Sequence, residues 1–369
     1  MNKRHVNALG LVWFVTLSQV TSAADPPIAN TLHPPFDVAA ARARHGTAPT
    51  AFTCPVVPPP VHDLTIGGFY EADSGSSVVD AEAERRYKKA AKPFNDFQKI
   101  IAKMSDQYIA SNPPQAAAAK CVLAWLEDWG QARAILGKMS AQGGFVRKWG
   151  LGVIAVAYLK VRGEPTLDED IKKGVEIWIR RLAQTVRAEY STGTERSSGR
   201  NNHLYWAAWS VMAAAVALDD HEMFDWSVGR YRFAMDQIED DGTLPLEMVR
   251  RSKALHYHLY SIPPLVLIAE TGARNGLDLY TEQGGALHRL IRRTVAGLDD
   301  PSFFAARSGY KQQWRGTLNA AKLAWMEPYY ARFKDPTMIK WIRKFRPLSH
   351  TRQGGDQTLL FGMKKLTAE

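Results

Sequence analysis

The sequence predicts an all-α protein: an (α/α) toroid, or incomplete α/α barrel, of antiparallel helical hairpins with a proline-rich N-terminal arm. Apolar residues recur at helical intervals after residue 78, short segments rich in Gly, Pro, Asp or Ser separate these stretches, and there are eleven tryptophans. Helices joined by short turns pack as hairpins, which form an open solenoid or a toroid. The tryptophans favour the toroid, and the lack of a strict repeat disfavours armadillo and tetratricopeptide arrays.

The first 24 residues have the pattern of a secretory signal peptide. A positive n-region, an apolar run and a small-residue cleavage site follow one another in Lys3–His5, Val6–Val20 and Thr21–Ala24. We therefore expect export to the periplasm and a mature chain that starts near Asp25. The apolar run is too short to span a membrane, and no later run approaches the required length.

Residues 25–78 are rich in proline and small residues, which predicts an extended arm ending in a lid loop over a toroid domain of residues 79–369. Strand patterns occur only near 62–70 and 357–362. The predicted helices cover residues 79–111, 116–139, 143–162, 168–193, 201–219, 221–240, 246–273, 283–297, 315–333 and 336–345.

Tryptophans on these helices are candidates for a groove in which sugar rings stack on indole faces, although most are expected in the core. They are Trp125, Trp129, Trp149, Trp178, Trp206 and Trp209. The two cysteines, Cys54 and Cys121, lack the spacing of a zinc or redox motif. An oxidising compartment permits a disulfide between them, and two unpaired buried thiols are the alternative.

The charge balance favours an anionic partner. Loss of Lys3 and Arg4 with the signal peptide lowers the formal net charge from +10 to +8, and a basic exported protein attracts polyanions. Export and the lack of a nucleic-acid-binding module argue against nucleic acid. An anionic polysaccharide is the expected partner. No oligomer interface is recognisable, so a monomer is expected.

The first chemistry-bearing segment is Ser197–Trp206. Its Ser, Gly and Asn residues precede an apolar helix and form an N-cap region, which places Asn202 and His203 in the first helical turn. Free backbone N–H groups and the helix dipole favour an anion there. An amide and an imidazole at this position can bind a carboxylate. A capping Asn followed by a structural His is an equally good interpretation.

The second segment is Leu244–His258. Arg250 and Tyr257 are seven residues apart, which places them two turns apart on nearly the same face of one helix. His256 and His258 diverge by about 200° around a helix, which is poor geometry for a metal. We therefore expect neither a metal nor a cofactor.

These residue types suit β-elimination of a 4-linked uronate. Asn202, His203 and Arg250 can neutralise the C6 carboxylate and so acidify the C5 proton. Tyr257 can give and take protons if neighbouring cations lower its pKa below about 10. A glycoside hydrolase would need two opposed carboxylic acids, and the acidic residues are too scattered to nominate such a pair.

The two segments together resemble the alginate lyases of polysaccharide lyase family 5, periplasmic bacterial enzymes with an α/α toroid fold. The resemblance spans most of the mature chain and rests on Asn201–Trp206, Arg250–His258, Trp325–Tyr330 and Gly354–Leu360. It implies that the residues at 202, 203 and 250 neutralise the carboxylate. It also implies that Tyr257 transfers the proton, with His203 sometimes given the role of base.

One position departs from the family pattern. Members acting mainly on polymannuronate usually carry Lys-Tyr in the loop after the arm, whereas this chain has Phe69-Tyr70. Mannuronate and glucuronate differ only at C2, so a site that contacts C4 to C6 does not distinguish them. We expect a polyuronate lyase acting on polymannuronate, polyglucuronate and related polymers such as hyaluronan. The expected substrate contacts are Tyr70, Ser198, Trp206, His256, Tyr260 and Arg352.

Three alternatives remain at the level of sequence: an (α/α) glycoside hydrolase, a non-catalytic periplasmic polyanion-binding protein, and a metal-requiring enzyme of the same fold. The sequence does not fix endo or exo action or the preferred polymer.

Overall fold

The computed structural model of the chain describes residues 31–72, 75–192, 196–313 and 318–367. The predicted signal peptide, residues 1–24, and the start of the arm lie outside these ranges. The helices are α1 Val38–His45, α2 Ala81–Ala110, α3 Ala116–Gln131, α4 Ala141–Val161, α5 Glu169–Thr192, α6 Asn202–Leu218, α7 His221–Asp236, α8 Pro245–Met248, α9 Ala254–Arg274, α10 Glu282–Asp299, α11 Ser302–Ser308, α12 Ala320–Leu323, α13 Met326–Phe333, α14 Ile339–Phe345 and α15 Gln357–Phe361.

The helices form two layers. Helices α2, α4, α6 and α9 pack side by side in that order, while α3, α5, α7 and α10 pack on their outer side. Nearly every side chain of α4 and α6 is buried, as expected for helices that are apolar all round. The charged residues of α5 instead leave one face for solvent. The all-α toroid predicted from the sequence is confirmed.

The C-terminal segment closes one side of the inner layer. Strands β1 Ser349–His350 and β2 Gly355–Asp356 pair antiparallel, and the 3₁₀ turn Thr351–Gln353 between them contacts α2, α4 and α9. This turn brings a C-terminal arginine, Arg352, against the inner helices. The segment therefore contributes to the same face as the beginning of α6.

Side-chain caps fix where the inner helices begin. Asp80 accepts backbone N–H groups at the start of α2, Ser140 accepts from Gly143 in α4, and Asn201 accepts from His203 in α6. Each cap satisfies backbone donors that have no partner within their own helix. The first turn of α6 is thus set by its local sequence.

The arm lies over the outer helices. The indole N–H groups of Trp125 and Trp129 donate to the carbonyls of Pro55 and Pro58, and Cys54 forms a disulfide with Cys121. These two tryptophans therefore anchor the arm and do not line a groove. The arm also contains helix α1, which the sequence interpretation missed.

Three other predictions about local structure were wrong. The single helix predicted over 246–273 is broken into α8, a 3₁₀ turn at Arg251–Lys253 and α9. The strand predicted near 357–362 is helix α15, because Asp356 caps it by accepting from Leu359. Residues 62–70 form only isolated bridges, at Leu64 and Tyr70.

No helix in the described ranges combines the length and the apolar character that crossing a membrane requires.

The disulfide predicts a measurable stability difference. It joins residues 67 apart in sequence, and cross-linking a loop of that length lowers the entropy of the unfolded chain by the equivalent of about 4 kcal/mol. We expect the Cys54→Ser, Cys121→Ser double variant to lose about that much free energy of unfolding in urea titrations. The helical circular dichroism of the folded protein without urea should not change, and an unaltered urea midpoint would contradict the arm's stabilising role.

Candidate active site

The beginning of α6 is held by one buried carboxylate. Asn202 is fully buried, and its backbone N–H and its amide both donate to Glu247 Oε1 at 2.9 Å. One hydrogen of the Asn202 amide remains for a ligand, because an amide nitrogen carries two donors. Two of the three N–H groups of Asn202 are thus bonded to Glu247, a residue that sequence reasoning had not considered.

Glu247 also holds Arg250. The Arg250 Nε lies 3.5 Å from Glu247 Oε2, an ion pair that is too long for a good hydrogen bond. Burial raises the pKa of Glu247, while Arg250 and Asn202 act in the opposite direction. Glu247 is therefore a positioning residue shared by two of the predicted site residues.

Arg250 and Tyr257 do lie together, although not for the predicted reason. Arg250 is in the corner between α8 and α9 and not on the helix of Tyr257, yet its guanidinium carbon is 4.8 Å from the centre of the Tyr257 ring. The Tyr257 hydroxyl donates to the Tyr70 hydroxyl at 2.9 Å. The break in the helix lets the arginine fold back over the ring.

The condition set for proton transfer by Tyr257 is not met in this structure. Cations would have to lower its pKa, but burial raises the pKa of Tyr257 well above its usual value, the hydrogen bond with Tyr70 adds to this, and Arg250 opposes it only in part. Desolvation outweighs the nearby charge. In the unliganded protein Tyr257 is therefore a protonated phenol.

A cation lies beside Tyr70 despite the Phe at position 69. Lys253 Nζ is 4.9 Å from the centre of the Tyr70 ring, whereas Phe69 packs against Tyr70 and Tyr87. The 3₁₀ turn before α9 thus supplies a positive charge near Tyr70.

His203 is held on the opposite side by α4. Its Nδ1 is 2.7 Å from Lys148 Nζ, and its ring stacks on Phe145 at 3.9 Å. Burial, followed by Lys148, Arg250 and Arg352, holds the pKa of His203 well below its usual value. The imidazole is therefore neutral at physiological pH.

Arg352 contacts residues that lie beside both His203 and Tyr257. Its guanidinium carbon is 3.5 Å from the centre of the Trp149 ring, and its Nη1 donates to the Tyr260 hydroxyl at 2.7 Å. The partly exposed side chains of His203, Tyr260 and Arg352, together with Tyr257, of which only 8% is exposed, define the region that we call the cleft. A polymer with negative charges meets several cations there.

Two cavities are lined by residues of the cleft or by their direct neighbours, Arg352 in one case and Phe145, which stacks on His203, in the other. One of about 620 Å³ is lined by Met139, Ser140, Ala141, Gly144, Phe145, Glu189, Tyr190, Arg196, Ser198 and Gly199. Another of about 490 Å³ is lined by Asn95, Gln98, Lys99, Ala321, Ser349, His350, Thr351 and Arg352. The predicted contact Ser198 thus lines the first cavity, and Arg352 lines the second.

Trp206 is not placed for the predicted substrate contact. It has no exposed surface, and its indole N–H donates to the backbone carbonyl of Tyr260 at 3.2 Å. The recess of about 30 Å³ between Trp206, His256 and Lys322 has room for a water molecule but not for a sugar ring. Trp206 supports the cleft from behind because α6 is buried all round.

His256 lies at the rim of that recess. Its Nδ1 is 3.3 Å from Lys322 Nζ, and burial followed by Lys322 lowers the pKa of His256 to about 3. His258 faces the other way: its Nε2 accepts from the Leu244 N–H and its Nδ1 donates to the Ala254 carbonyl. Within the described residues no group of three or more His, Cys, Asp or Glu side chains is arranged to hold a metal.

Comparisons with known proteins agree with this arrangement. The family model described as alginate lyase matches residues 69–304. An alginate lyase of Pseudomonas syringae pv. syringae (strain B728a) is 35% identical over 323 residues, covering 85% of this chain and 84% of the relative. One from Pseudomonas aeruginosa (strain LESB58) is 34% identical over 352 residues, 93% of each chain.

This chain belongs to the alginate lyase family.

Solved structures of this family share the fold. Alginate lyase A1-III from Sphingomonas species A1 has a TM-score of 0.76 and 28% identity, covering 89% of this chain and 95% of the other. A tyrosine-to-phenylalanine variant of A1-III, complexed with tetrasaccharide, has a TM-score of 0.79 and 27% identity, covering 90% and 96%. The resemblance stated from the sequence is confirmed, and the chain is a polysaccharide lyase.

Three residues of this lyase's site escaped the sequence interpretation. Glu247 is three residues before Arg250, a spacing that brings a carboxylate and a guanidinium together on a helical turn. Lys148 lies in the predicted helix, directly before Trp149 and close to the apolar face marked by Phe145. A charged residue beside an apolar helix face could have indicated a functional role. Lys322 had no comparable signal, because only the folding of the C-terminal third brings it to His256.

The role of Glu247 is testable by removing its charge. In Glu247→Gln the amide oxygen still accepts from Asn202, but Arg250 loses its ion pair and its fixed position. We expect kcat of the lyase to fall about tenfold to a hundredfold, measured with saturating polymer.

The matched control is Glu270→Gln. Glu270 is likewise buried and bonds Arg332 at 2.7 Å through both carboxylate oxygens, away from the cleft. This variant should lose stability but keep its kcat. Equal kcat values for the two variants would contradict the positioning role of Glu247.

Proposed function

We propose that this lyase is exported to the periplasm and cleaves 4-linked polyuronates, alginate among them, by β-elimination in the cleft. One observation carries the proposal: the guanidinium of Arg250 lies over the Tyr257 ring and is also close enough to His203 to help hold its imidazole neutral. Such a pair can neutralise a C6 carboxylate beside a group that moves protons. The pattern of residues 1–24 supports export, and the relatives, which are alginate lyases, support the substrate class.

The bond changes follow from these positions. The C5–H bond breaks, its electron pair forms the C4–C5 double bond, and the C4–O4 bond breaks with a proton delivered to O4. Arg250 and one His203 N–H donate to the carboxylate, whose charge grows as the C5 proton leaves. The remaining hydrogen of the Asn202 amide is the third donor.

Tyr257 has to lose its proton before it takes the one on C5. Its hydroxyl already donates to the hydroxyl of Tyr70, a partly exposed residue with Lys253 beside its ring. The outgoing proton therefore passes to the Tyr70 oxygen while Tyr70 releases its own hydroxyl proton to solvent, so that one proton leaves the site in total. Tyr257 then takes the C5 proton and gives it to O4, which requires both to lie on the same face of the sugar.

This requirement selects the substrates. In mannuronate and glucuronate the C5 hydrogen and O4 lie on the same face, whereas in guluronate, the C5 epimer of mannuronate, they lie on opposite faces. Phe69 removes the cation typical of polymannuronate enzymes, and Lys253 on another element carries charge near Tyr70. We therefore propose activity on polymannuronate, polyglucuronate and hyaluronan.

A hydrolase mechanism has less support. Glu247 is buried and bonded to Asn202, and Glu189 pairs with the buried guanidinium of Arg147. Among the described residues of the cleft, neither carboxylate has a free opposed partner, as a glycosidase requires.

Ultraviolet absorbance distinguishes the two reactions directly. β-Elimination leaves a conjugated C4–C5 double bond, so absorbance should rise with polymannuronate, polyglucuronate and hyaluronan, and much more slowly with polyguluronate. New reducing ends without an absorbance change would indicate hydrolysis. A preference for polyguluronate would contradict the same-face mechanism.

The proton-transfer role predicts a large loss in Tyr257→Phe. Removing the hydroxyl should lower kcat by about 10² to 10⁴-fold without abolishing polymer binding. Tyr231→Phe is the matched control, because this buried tyrosine donates to the Leu279 carbonyl in the outer layer. The control should lose about 1 kcal/mol of stability and keep its turnover; a Tyr257→Phe enzyme with native kcat would exclude the mechanism.

The lowered pKa of Lys322 predicts a KM that depends on pH. Burial, followed by Lys253, lowers the pKa of Lys322 to about 8, so the ammonium is charged below that pH and neutral above it. We expect KM for a polyuronate to rise about fivefold on passing from pH ~7 to pH ~9, since one charge contact is worth about 1 kcal/mol in water.

The control for this pH effect is Lys322→Arg. Its guanidinium stays charged throughout, so KM should be flat across the same pH range. A rise in KM that persists in Lys322→Arg would assign the titration to another group.

A further inference from the structure

Lys148 is a buried cation with an uncommon set of neighbours. It lies on α4 with no exposed surface, and its Nζ is 2.7 Å from both Tyr190 Oη and His203 Nδ1. Among the described residues no carboxylate pairs with it. Three aromatic rings surround the ammonium instead, with centres 4.5 to 5.1 Å away, those of Phe145, Tyr190 and Trp149.

We propose that Lys148 sets the tautomer of His203 and thereby makes its Nε2 a hydrogen-bond donor toward the cleft. A lysine ammonium has three donors and no acceptor. The atom that faces it at 2.7 Å therefore accepts, which leaves His203 Nδ1 without a proton and puts the single proton of the neutral ring on Nε2. No described residue bonds to Nε2, and Phe145 covers one face of the ring.

This assignment rests on the proposed function for its catalytic meaning. A proton on Nε2 lets His203 donate to the C6 carboxylate, so the histidine neutralises charge. It does not take the C5 proton, because the nitrogen that faces the cleft has no free lone pair. Lys148 is thus a positioning residue, and Tyr257 remains the group that moves the proton.

The surroundings of Lys148 also predict when the tautomer changes. The charged side chains that face it are Arg352 and Glu189, and the titratable groups in contact are Tyr190 and His203. Burial, followed by Arg352, holds the pKa of Lys148 well below its usual value. Once the ammonium loses a proton, the amine can accept from Nδ1–H, so the Nε2–H form should decline on the alkaline side.

The direct test is nitrogen NMR of ¹⁵N-histidine-labelled full-length protein without substrate. The His203 signals are identified as the pair that disappears in His203→Gln. We expect a pyridine-like Nδ1 and a pyrrole-like Nε2 at neutral pH. A pyrrole-like Nδ1 in the native protein at neutral pH would overturn the proposal, and this outcome requires no variant of Lys148 to fold.

Lys148→Met tests the cause. Methionine has a similar length and no donor, so the His203 nitrogens should shift toward a mixture of tautomers. We expect kcat to fall about tenfold to a hundredfold with a smaller change in KM, because the donor to the carboxylate matters most as charge develops. Unchanged nitrogen signals or unchanged kcat in a folded Lys148→Met enzyme would refute the role.

Tyr190→Phe is the matched control. It removes the other acceptor of the ammonium but no donor to His203, so the native pair of nitrogen signals should persist. A tautomer change equal to that of Lys148→Met would refute the specific role of the lysine. Because the NMR experiment contains no polymer, it is independent of the substrate: native tautomer signals in a protein that cleaves no polyuronate would refute the proposed function and leave the assignment at His203 standing.

Discussion

The site depends on one buried carboxylate. Glu247 receives two N–H groups from Asn202 and faces the Nε of Arg250, so it joins the beginning of α6 to the corner between α8 and α9. An ionised carboxylate is stable inside a protein only if donors and a cation compensate its lost hydration. The same donors and cation are the groups that a uronate needs. The same contacts therefore stabilise the fold and form the site. For this reason the break between α8 and α9, which positions Arg250, is part of the site.

Positive charge exceeds negative charge around His203. Lys148, Arg250 and Arg352 all lower its pKa, whereas Glu247 is the one fully buried carboxylate described beside them. Such an excess in a poorly hydrated place is unfavourable until an anion arrives. A uronate carboxylate supplies the missing charge, so binding and charge neutralisation are one event. The neutral imidazole and the protonated Tyr257 follow from the same surroundings, since burial acts against the charged form of each.

The sequence correctly predicted those features of the site that depend on residues adjacent in the chain. Asn201 caps α6 as its sequence indicates, and Asn202 and His203 lie in the first turn for that reason. Contacts between distant segments were beyond the sequence: Lys148 reaches His203 from α4, and Arg352 reaches Tyr260 from the C-terminal turn. Arg250 was placed beside Tyr257 through a helix that does not continue. The raised pKa of Tyr257 and the enclosed position of Trp206, which was expected to contact substrate, share one cause. Both follow from burial, which is a property of the packed toroid and cannot be inferred from helix periodicity.

The most direct test of this account is a crystal structure of Tyr257→Phe with a mannuronate tetrasaccharide bound in the cleft. It should place one C6 carboxylate within about 3 Å of His203 Nε2 and of the Arg250 guanidinium, with the C5 hydrogen and O4 of that sugar both facing position 257. A carboxylate bound instead by Arg352 or Lys322, with His203 and Arg250 free of ligand, would contradict the central claim.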